Sequence, residues 1–355
     1  LQPIPWADTE RQQRFQAWFD SQQVGFGFVP DTLGLASADA SFRRYFRVQS
    51  NRGSLVIMDA PPEKESCKPF VDIAALLNHA GLRAPKILAW DEGNGFMLLT
   101  DLGTRTMMQT IDLAQPPLNL YLNAVDTLVQ WQLSSAPQVL PPYDEALLRR
   151  ELELFPEWYI GAHRQVTIDP AMRKTLDDTF ALLIQNNLSW PSVYVHRDFM
   201  PRNLMVPDDL AVPGQTDPRY LGVLDFQDAV YGPITYDIAS LMRDAFLTWE
   251  EDFCLDVTIR YWEKARKAGL PVGDDFGEFY RGVEWMGLQR HLKIAGIFAR
   301  LTLRDGKPKY LADTPRFIDY IRSTCSRYIQ LKPLLRLVEK VDGIEVPNVF
   351  AFGRS

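Results

Sequence analysis

At 355 residues the chain has the length of two domains, or of one large two-lobed unit, at about 150 residues per domain. Hydrophobic residues make up 46% and charged residues 23%, the proportions of an ordinary globular protein, so a disordered or fibrous reading has nothing to rest on. The 38 Lys and Arg fall short of the 45 Asp and Glu, and a net charge of −7 lacks the cationic footprint that a nucleic-acid partner requires.

Three cysteines, Cys67, Cys254 and Cys325, stand far apart with no C-x-x-C pairing, which argues against a disulfide framework or a zinc site and fits a reducing compartment. No apolar run reaches the roughly 20 residues of a bilayer span, and residues 1–10 show no basic segment followed by an apolar one. The expectation is a cytoplasmic protein with no membrane partner and no obligate protein partner.

In chain order, Phe42 to Val48 is rich in aromatic and β-branched residues, Ser50-Asn51-Arg52-Gly53 is turn chemistry, and Ser54 to Met58 is an apolar run: a β-hairpin. Phe70, Ile73, Ala74 and Leu77 then keep a helical period that Gly81 is placed to end. Lys86 to Trp90 and Phe96 to Thr100 read as two further strands around the turn at 91–95. The first hundred residues are thus expected to be mostly antiparallel sheet with one helix. Thr100 to Gly103 reads as a hinge. Beyond it Leu118, Tyr121, Leu122, Val125, Leu128 and Val129 are helically spaced, as are Met172, Leu176, Leu183 and Ile184. Short strands are expected at Val193 to Val195, Leu204 to Val206 and Tyr220 to Leu224, the last two separated by the turn-rich stretch Pro207 to Pro218. After Pro233 helices continue nearly to the end, including one from about Asp275 to Leu303.

The stretch from Val193 to Val206 contains H-R-D-x-x-x-x-N in a polar loop between two strands. In phosphoryl transfer such a loop sets a carboxylate, here Asp198, beside the attacking hydroxyl, and an amide oxygen, here Asn203, beside a Mg²⁺ that bridges the nucleotide phosphates. The short strand ending at Leu224 delivers a second carboxylate, Asp225, followed by Phe226 and Gln227: D-F-Q in place of D-F-G. Mg²⁺ takes hard oxygen ligands and keeps several waters, so one carboxylate, one amide and the phosphate oxygens suffice.

These motifs resemble the aminoglycoside phosphotransferase and choline kinase family. The strings HRDFMPRNLM, LGVLDFQDAVYGPITYDIASL and WMGLQRHLKIAGIFARL are more narrowly similar to the bacterial anomeric sugar kinases that phosphorylate N-acetylmuramate and N-acetylglucosamine at C1 in peptidoglycan recycling. The resemblance implies an α+β, bilobal protein-kinase-like fold: a small β-rich nucleotide-binding lobe over 1–99, a hinge at 100–103 and a helical catalytic and substrate-binding lobe over 104–355. It implies ATP and Mg²⁺ bound between the lobes and a small-molecule amino-sugar substrate. By the same resemblance Asp198 is the catalytic base, Asn203 and Asp225 are the metal ligands, and Asp237 is the helix carboxylate that braces the catalytic loop. His196 is expected to be architectural, tying backbone groups together behind the loop. Asp228 is a candidate for a second Mg²⁺ or for the sugar.

The nucleotide side departs from the protein-kinase pattern. No G-x-G-x-x-G lies between Gly34 and Val48, although small residues and the hydroxyls of Ser37 and Ser41 allow a tight loop near phosphates. Met58 stands where V-A-I-K places its phosphate-pairing lysine. Arg43 and Arg44 are the nearest substitutes, with Lys64 a third candidate; on a strand the two arginines face opposite sides, so only one reaches the phosphates. Backbone groups near Thr100 to Leu102 are expected to meet the adenine edge, with Val56 and Leu99 as apolar walls. For the substrate, cations such as aminoglycosides or choline call for carboxylates or aromatic cages. Arg281, Arg290, Lys293, Arg300 and Arg304 stand against Glu284 alone between 281 and 304, which suits a neutral or anionic sugar. Gln289, Arg290 and Lys293 are the expected sugar contacts. The rival readings are a kinase for an aminoglycoside or other small hydroxyl metabolite, and a nucleotide-binding pseudokinase module.

Overall fold

The computed structural model describes residues 4, 6, 8–38, 43–114, 117–207, 217 and 219–344, among which the side chains at 37 and 38 are not described. The chain divides into two compact units: Leu1–Trp131 with Pro201–Ala229, and Gln132–Met200 with Val230–Ser355.

The first unit opens on helix α1 (Thr9–Phe26), which the sequence reading overlooked. Asp8 caps it by accepting from the backbone N–H groups of Glu10 and Arg11, and Gly27 ends it in the left-handed region. Its buried residues are Arg11, Phe15, Trp18 and Phe19 among Gln, Arg and Asp, a face too sparse to stand out before its partner is known. Strand β1 (Phe28–Ala38) was hidden likewise: it contains Pro30 and Gly34, and its pairing with the next strand is interrupted twice. The expected hairpin follows as β2 (Arg44–Ser50) and β3 (Gly53–Asp59), with Ser50 opposite Gly53 across the Asn51-Arg52 turn. Helix α2 (Lys68–His79) buries Phe70, Ile73, Ala74 and Leu77, the four residues whose spacing announced it. Strands β4 (Ile87–Asp91) and β5 (Phe96–Thr100) complete an antiparallel sheet ordered β1-β2-β3-β5-β4. The expectation of one helix in this region is therefore corrected to two.

The pleat gives this sheet two different faces. Phe46, Val48, Leu55, Ile57, Phe96 and Leu98 point one way and join Phe15, Trp18 and Phe19 of α1 in a buried cluster rich in aromatic rings. Tyr45, Arg47, Val56, Met58, Met97 and Leu99 alternate with them and point the other way. Asp59 lies on the α1 side, fully buried, and pairs there with Arg11 and Arg44.

Beyond the sheet come β6 (Arg105–Thr106), α3 (Met107–Thr110), α4 (Leu118–Leu133), α5 (Glu145–Leu152), a π-helical segment (Phe155–His163), α6 (Pro170–Leu188) and β7 (Ser192–Val195). They are followed by β8 (Leu204–Val206), β9 (Gly222–Val223), β10 (Val230–Pro233), α7 (Thr235–Met242), α8 (Glu251–Lys267), α9 (Phe276–Leu303), α10 (Thr314–Arg327) and α11 (Lys332–Asp342). In the first unit β8 pairs with β6 and β9; in the second, β7 pairs with β10. Strands β6 and β10 had no sequence signal, β9 is shorter than expected, and most of the stretch from Pro207 to Pro218 lies outside the described residues. A β-rich N-terminal region and a mainly helical remainder make the α+β class expected from the sequence.

Helix α9 is the spine of the second unit and is buried continuously from Gly282 to Gly296. Asp275 caps it by accepting from the Glu278 N–H. Gly296 lets it close on the residue before the π-helical segment, since a Cβ there would lie 2.3 Å from the Leu154 carbonyl oxygen. The three cysteines are buried and form no disulfide. Among the described residues no helix is long and apolar enough to cross a membrane.

Gly296→Ala puts a methyl group into a backbone carbonyl, and the overpacking outweighs the gain of up to about 1 kcal/mol in helix propensity. The variant is expected to lose about 1–3 kcal/mol in urea unfolding; unchanged stability would mean that α9 and Leu154 can separate freely.

Candidate active site

In the second unit β7 leads into the loop that carries Asp198. The His196 and Arg197 N–H groups donate to the two oxygens of Asp237 on α7, at 2.7 and 3.0 Å. His196 is buried, and its Nδ1 accepts from the Asp198 N–H at 3.3 Å. Asp237 has no solvent exposure; burial pushes its carboxyl up to about 6, against the pull of His196, the two N–H groups and Arg290. Arg197 holds a left-handed backbone, φ 77°, which costs a residue with a side chain about 1–2 kcal/mol. Its guanidinium donates to Glu151 Oε1 on α5 at 2.5 Å, and its carbonyl accepts from Arg290 Nη1 at 2.7 Å.

Glu151 had no sequence signal. Its carboxylate also accepts from Lys293 Nζ at 2.9 Å, from Gln289 Nε2 at 3.0 Å and from the Tyr143 hydroxyl. Burial alone would raise Glu151; Lys293 and Arg197 outweigh it and hold the carboxyl down at about 2. Lys293 further reaches the Tyr236 hydroxyl at 3.3 Å, and the Arg290 guanidinium lies 4.8 Å from the Tyr236 ring centroid. The structure thus places Gln289, Arg290 and Lys293, the expected sugar contacts, in the buried support of the loop that carries Asp198. Asp198 itself is half-buried and lies in the electrostatic field of Arg197, Arg290 and Lys293.

The charge balance counted along α9 is not the balance in space. Lys293 faces Glu151, Arg290 faces Asp198 and Asp237, Arg304 pairs with Asp305, and Arg281 lies over Trp285. His291, stacked on Tyr320, is pushed down to about 3 by burial and is neutral. The lone acid, Glu284, is buried and takes Arg327 and the Tyr328 hydroxyl.

In the first unit β8 and β9 carry Asn203 and Asp225 at their ends. Asn203 Nδ2 donates to Asp225 Oδ2 at 3.3 Å, and Gln227 Nε2 donates to Oδ1 at 3.0 Å, a role for Gln227 that the sequence reading left open. Asp225 is exposed, with φ 59° turning its carboxylate out of the strand direction. Among the described residues no group of three or more His, Cys, Asp or Glu could hold a metal by itself. An amide beside a carboxylate suits instead a hard cation that shares its shell with phosphates and water. Asp228 is exposed in the turn from Phe226 to Ala229.

The two arginines separate as the pleat requires. Arg44 pairs with buried Asp59 and stacks 4.0 Å over Trp6, on the α1 face. Arg43 faces the other way: it donates to Glu65 at 2.5 Å and lies over the Phe70 ring, which packs at 4.9 Å on Phe226, the residue after Asp225. Tyr45, pushed up to about 12 by burial, feels both Arg43 and Asp225. Met58 is wholly buried, and Val56 lies directly across from Leu99 on the same face as Tyr45. Near the expected hinge the Thr100 N–H donates to the Lys86 carbonyl at 3.0 Å, and the Leu102 carbonyl accepts from Arg83 Nη2 at 2.7 Å. Ser37 pairs with Tyr45 at the end of β1, and Ser41 lies outside the described residues.

Asp244, at the end of α7, supplies a pH test of this buried charge. Burial pushes its carboxyl up to about 6, against the backbone N–H groups of residues 245–247 and Arg290. Because the folded value lies above the unfolded 3.8, its contribution to stability is complete below pH 4 and is lost as pH rises through 6. Between pH 4 and 7 the stability difference between Asp244→Asn and the wild type should move toward the variant by about 2–3 kcal/mol, read by urea unfolding. A pH-independent difference would place the carboxyl at its ordinary value.

The family model for the phosphotransferase enzyme family (APH) matches residues 32–276. The chain is 45% identical to the N-acetylmuramate/N-acetylglucosamine kinase of Pseudomonas aeruginosa over 339 residues, 94% of this chain and 97% of that one. It is 46% identical to the protein of the same name from Pseudomonas putida over 338 residues, 93% of this chain and 96% of that one. Among solved structures, spectinomycin phosphotransferase APH(9)-Ia in complex with ADP and spectinomycin shares the fold with a TM-score of 0.60 at 12% identity, over 87% of this chain and 98% of that one. The carboxylate loop, the amide-carboxylate pair and these likenesses together place the chain in the phosphotransferase enzyme family.

Proposed function

We propose that this protein is an ATP-dependent kinase that phosphorylates the anomeric hydroxyl of N-acetylmuramate and N-acetylglucosamine, a step of peptidoglycan recycling in the cytoplasm. The observation that carries the reading is the turn at His196 and Arg197, held by Asp237 just before Asp198, in a chain 45% and 46% identical over nearly its whole length to two kinases of that name. Asp198 accepts a hydrogen bond from the sugar's C1 hydroxyl and takes its proton as the new O–P bond forms. The bond from the γ-phosphorus to the bridging oxygen breaks, and ADP leaves. When bound, Mg²⁺ spreads the negative charge of the phosphates; Asn203 and Asp225 are the oxygen donors that would hold it, and Gln227 keeps Asp225 oriented.

The cation that stands in for the missing lysine is Arg43. It shares the non-α1 side of the sheet with Phe70 and Phe226; buried and paired with Glu65, it would meet a phosphate by exchanging that counter-ion for the anion. Arg44 is excluded by its commitment to Asp59 on the opposite face. Val56 and Leu99, paired across β3 and β5, are the apolar walls for the adenine, and the backbone of Thr100 to Leu102 meets its edge. The hydroxyls of Ser37 and Ser41 are the proposed further phosphate contacts, and Asp228 the proposed contact to the sugar.

Asp198→Asn is expected to remove at least about 99% of turnover while ATP affinity stays within a few-fold, because the barrier depends on positioning and charge rather than on nucleotide binding. Phosphorus NMR of the product from N-acetylmuramate should show a phosphate coupled to H1; coupling to H6 would overturn the regiochemistry. A substrate panel with ADP detection separates the amino sugars from aminoglycosides, and absence of Mg²⁺-dependent ADP on every sugar would favour a module without chemistry. Arg43→Gln should weaken ATP binding about ten- to a hundred-fold and leave adenosine binding unchanged, as expected for a charge-assisted phosphate contact. Arg44→Gln should instead lower stability, and the opposite pattern would exchange the two assignments.

A further inference from the structure

We propose that Glu151, on α5 and outside every motif of the chain, is a positioning residue for Asp198 that acts through Arg197. The proposal rests on the phosphotransfer reading of Asp198.

Arg197 is tethered at three points by three different elements. Its N–H donates to Asp237 on α7, its carbonyl accepts from Arg290 on α9, and its guanidinium donates to Glu151 on α5. The carbonyl of Arg197 and the N–H of Asp198 belong to one peptide plane. That plane is held at both ends, by Arg290 Nη1 at 2.7 Å and by His196 Nδ1 at 3.3 Å. The side chain of Asp198 leaves the backbone at the edge of this plane, so its direction follows from the plane's orientation.

The backbone at Arg197 makes the guanidinium contact consequential. At φ 77° a glycine would sit without strain, whereas a residue with a Cβ does not. An arginine in that position is strained unless its side chain returns the cost, and the partner that receives it is Glu151. This carboxylate is 6% exposed and accepts from four donors, one from each of Tyr143, Arg197, Gln289 and Lys293. Four donors leave it little freedom to turn. Lys293 supplies a second cation, so the carboxylate stays ionised and Arg197 stays paired across the working pH range. Phosphoryl transfer depends on alignment, and a small displacement of the reacting group lowers the rate by up to about a hundred-fold.

Glu151→Gln removes the charge and keeps the shape. Turnover per folded enzyme should fall about ten- to a hundred-fold, with KM for ATP and for the sugar within about three-fold of wild type. A role confined to stability would lower the melting temperature and leave turnover per folded enzyme unchanged, which would overturn the proposal. Arg197→Gly suits the left-handed backbone and should fold; it loses the same tether and should show the same split between kcat and KM. Glu151→Gln added to Arg197→Gly should then cost no further turnover. A further fall would show that Glu151 acts by another route and would also overturn the proposal. Should Glu151→Gln alone not fold, the comparison of Arg197→Gly with wild type decides: wild-type turnover in that variant defeats the tether. Hydrogen exchange of the peptide 196–200 reads the tether without any substrate and should be faster in either variant. If wild type phosphorylates no sugar while exchange still responds, the function reading fails and the tether stands.

Discussion

The second unit is organised around a carboxylate without solvent exposure. Asp237 accepts the N–H groups of His196 and Arg197, and those two bonds determine where the chain turns out of β7. Burial makes this carboxyl hard to ionise, and the cationic and amide groups around it only partly compensate. The arrangement favours one backbone path: the N–H groups of His196, Arg197 and Asp198 and the Arg197 carbonyl each have a partner, and the residue after Arg197 inherits the orientation. Arg290 and His196 complete the support by gripping the next peptide from both ends. Helix α9 is buried through most of its length because it delivers Gln289, Arg290 and Lys293 to this support.

The first unit solves a different problem with the pleat of its sheet. One face packs aromatic rings against α1, and the buried Asp59 there pairs with both Arg11 and Arg44. The other face carries Tyr45, Val56 and Leu99, and Arg43 points to the same side. Adjacent arginines thereby take different partners: Arg44 completes an ion-pair cluster on buried Asp59, and Arg43, itself buried, pairs with Glu65 on the other face. A lysine at position 58 would project on the same face as Tyr45; the buried Met58 fills that space, and Arg43, just before the neighbouring strand, lies toward the same side.

The motif-bearing parts were legible because their signals are local. The hairpin from β2 to β3 is written in alternation and turn chemistry, α2 in four residues at helical spacing, and α9 in a long apolar period with Asp275 before it. The adjacency of Asn203 and Asp225 was foreseen from their two motifs and from the chemistry of a cation they would share. Helix α1 escaped because three aromatic residues among polar ones define a face only once the sheet is there to cover it. Strand β10 escaped because four residues containing Gly232 and Pro233 acquire their role from pairing with β7.

The amino-acid order alone determined the reaction class, the identity of the motif residues and most helices and strands, since each depends on neighbours within a few positions. Which charges meet was decided only by the tertiary structure. Glu151 lies 46 residues from Arg197 and 142 from Lys293, so no window along the chain contains the ion cluster. The count of bases on α9 does not reveal their pairings for the same reason: the acid that meets Lys293, Glu151, comes from another helix.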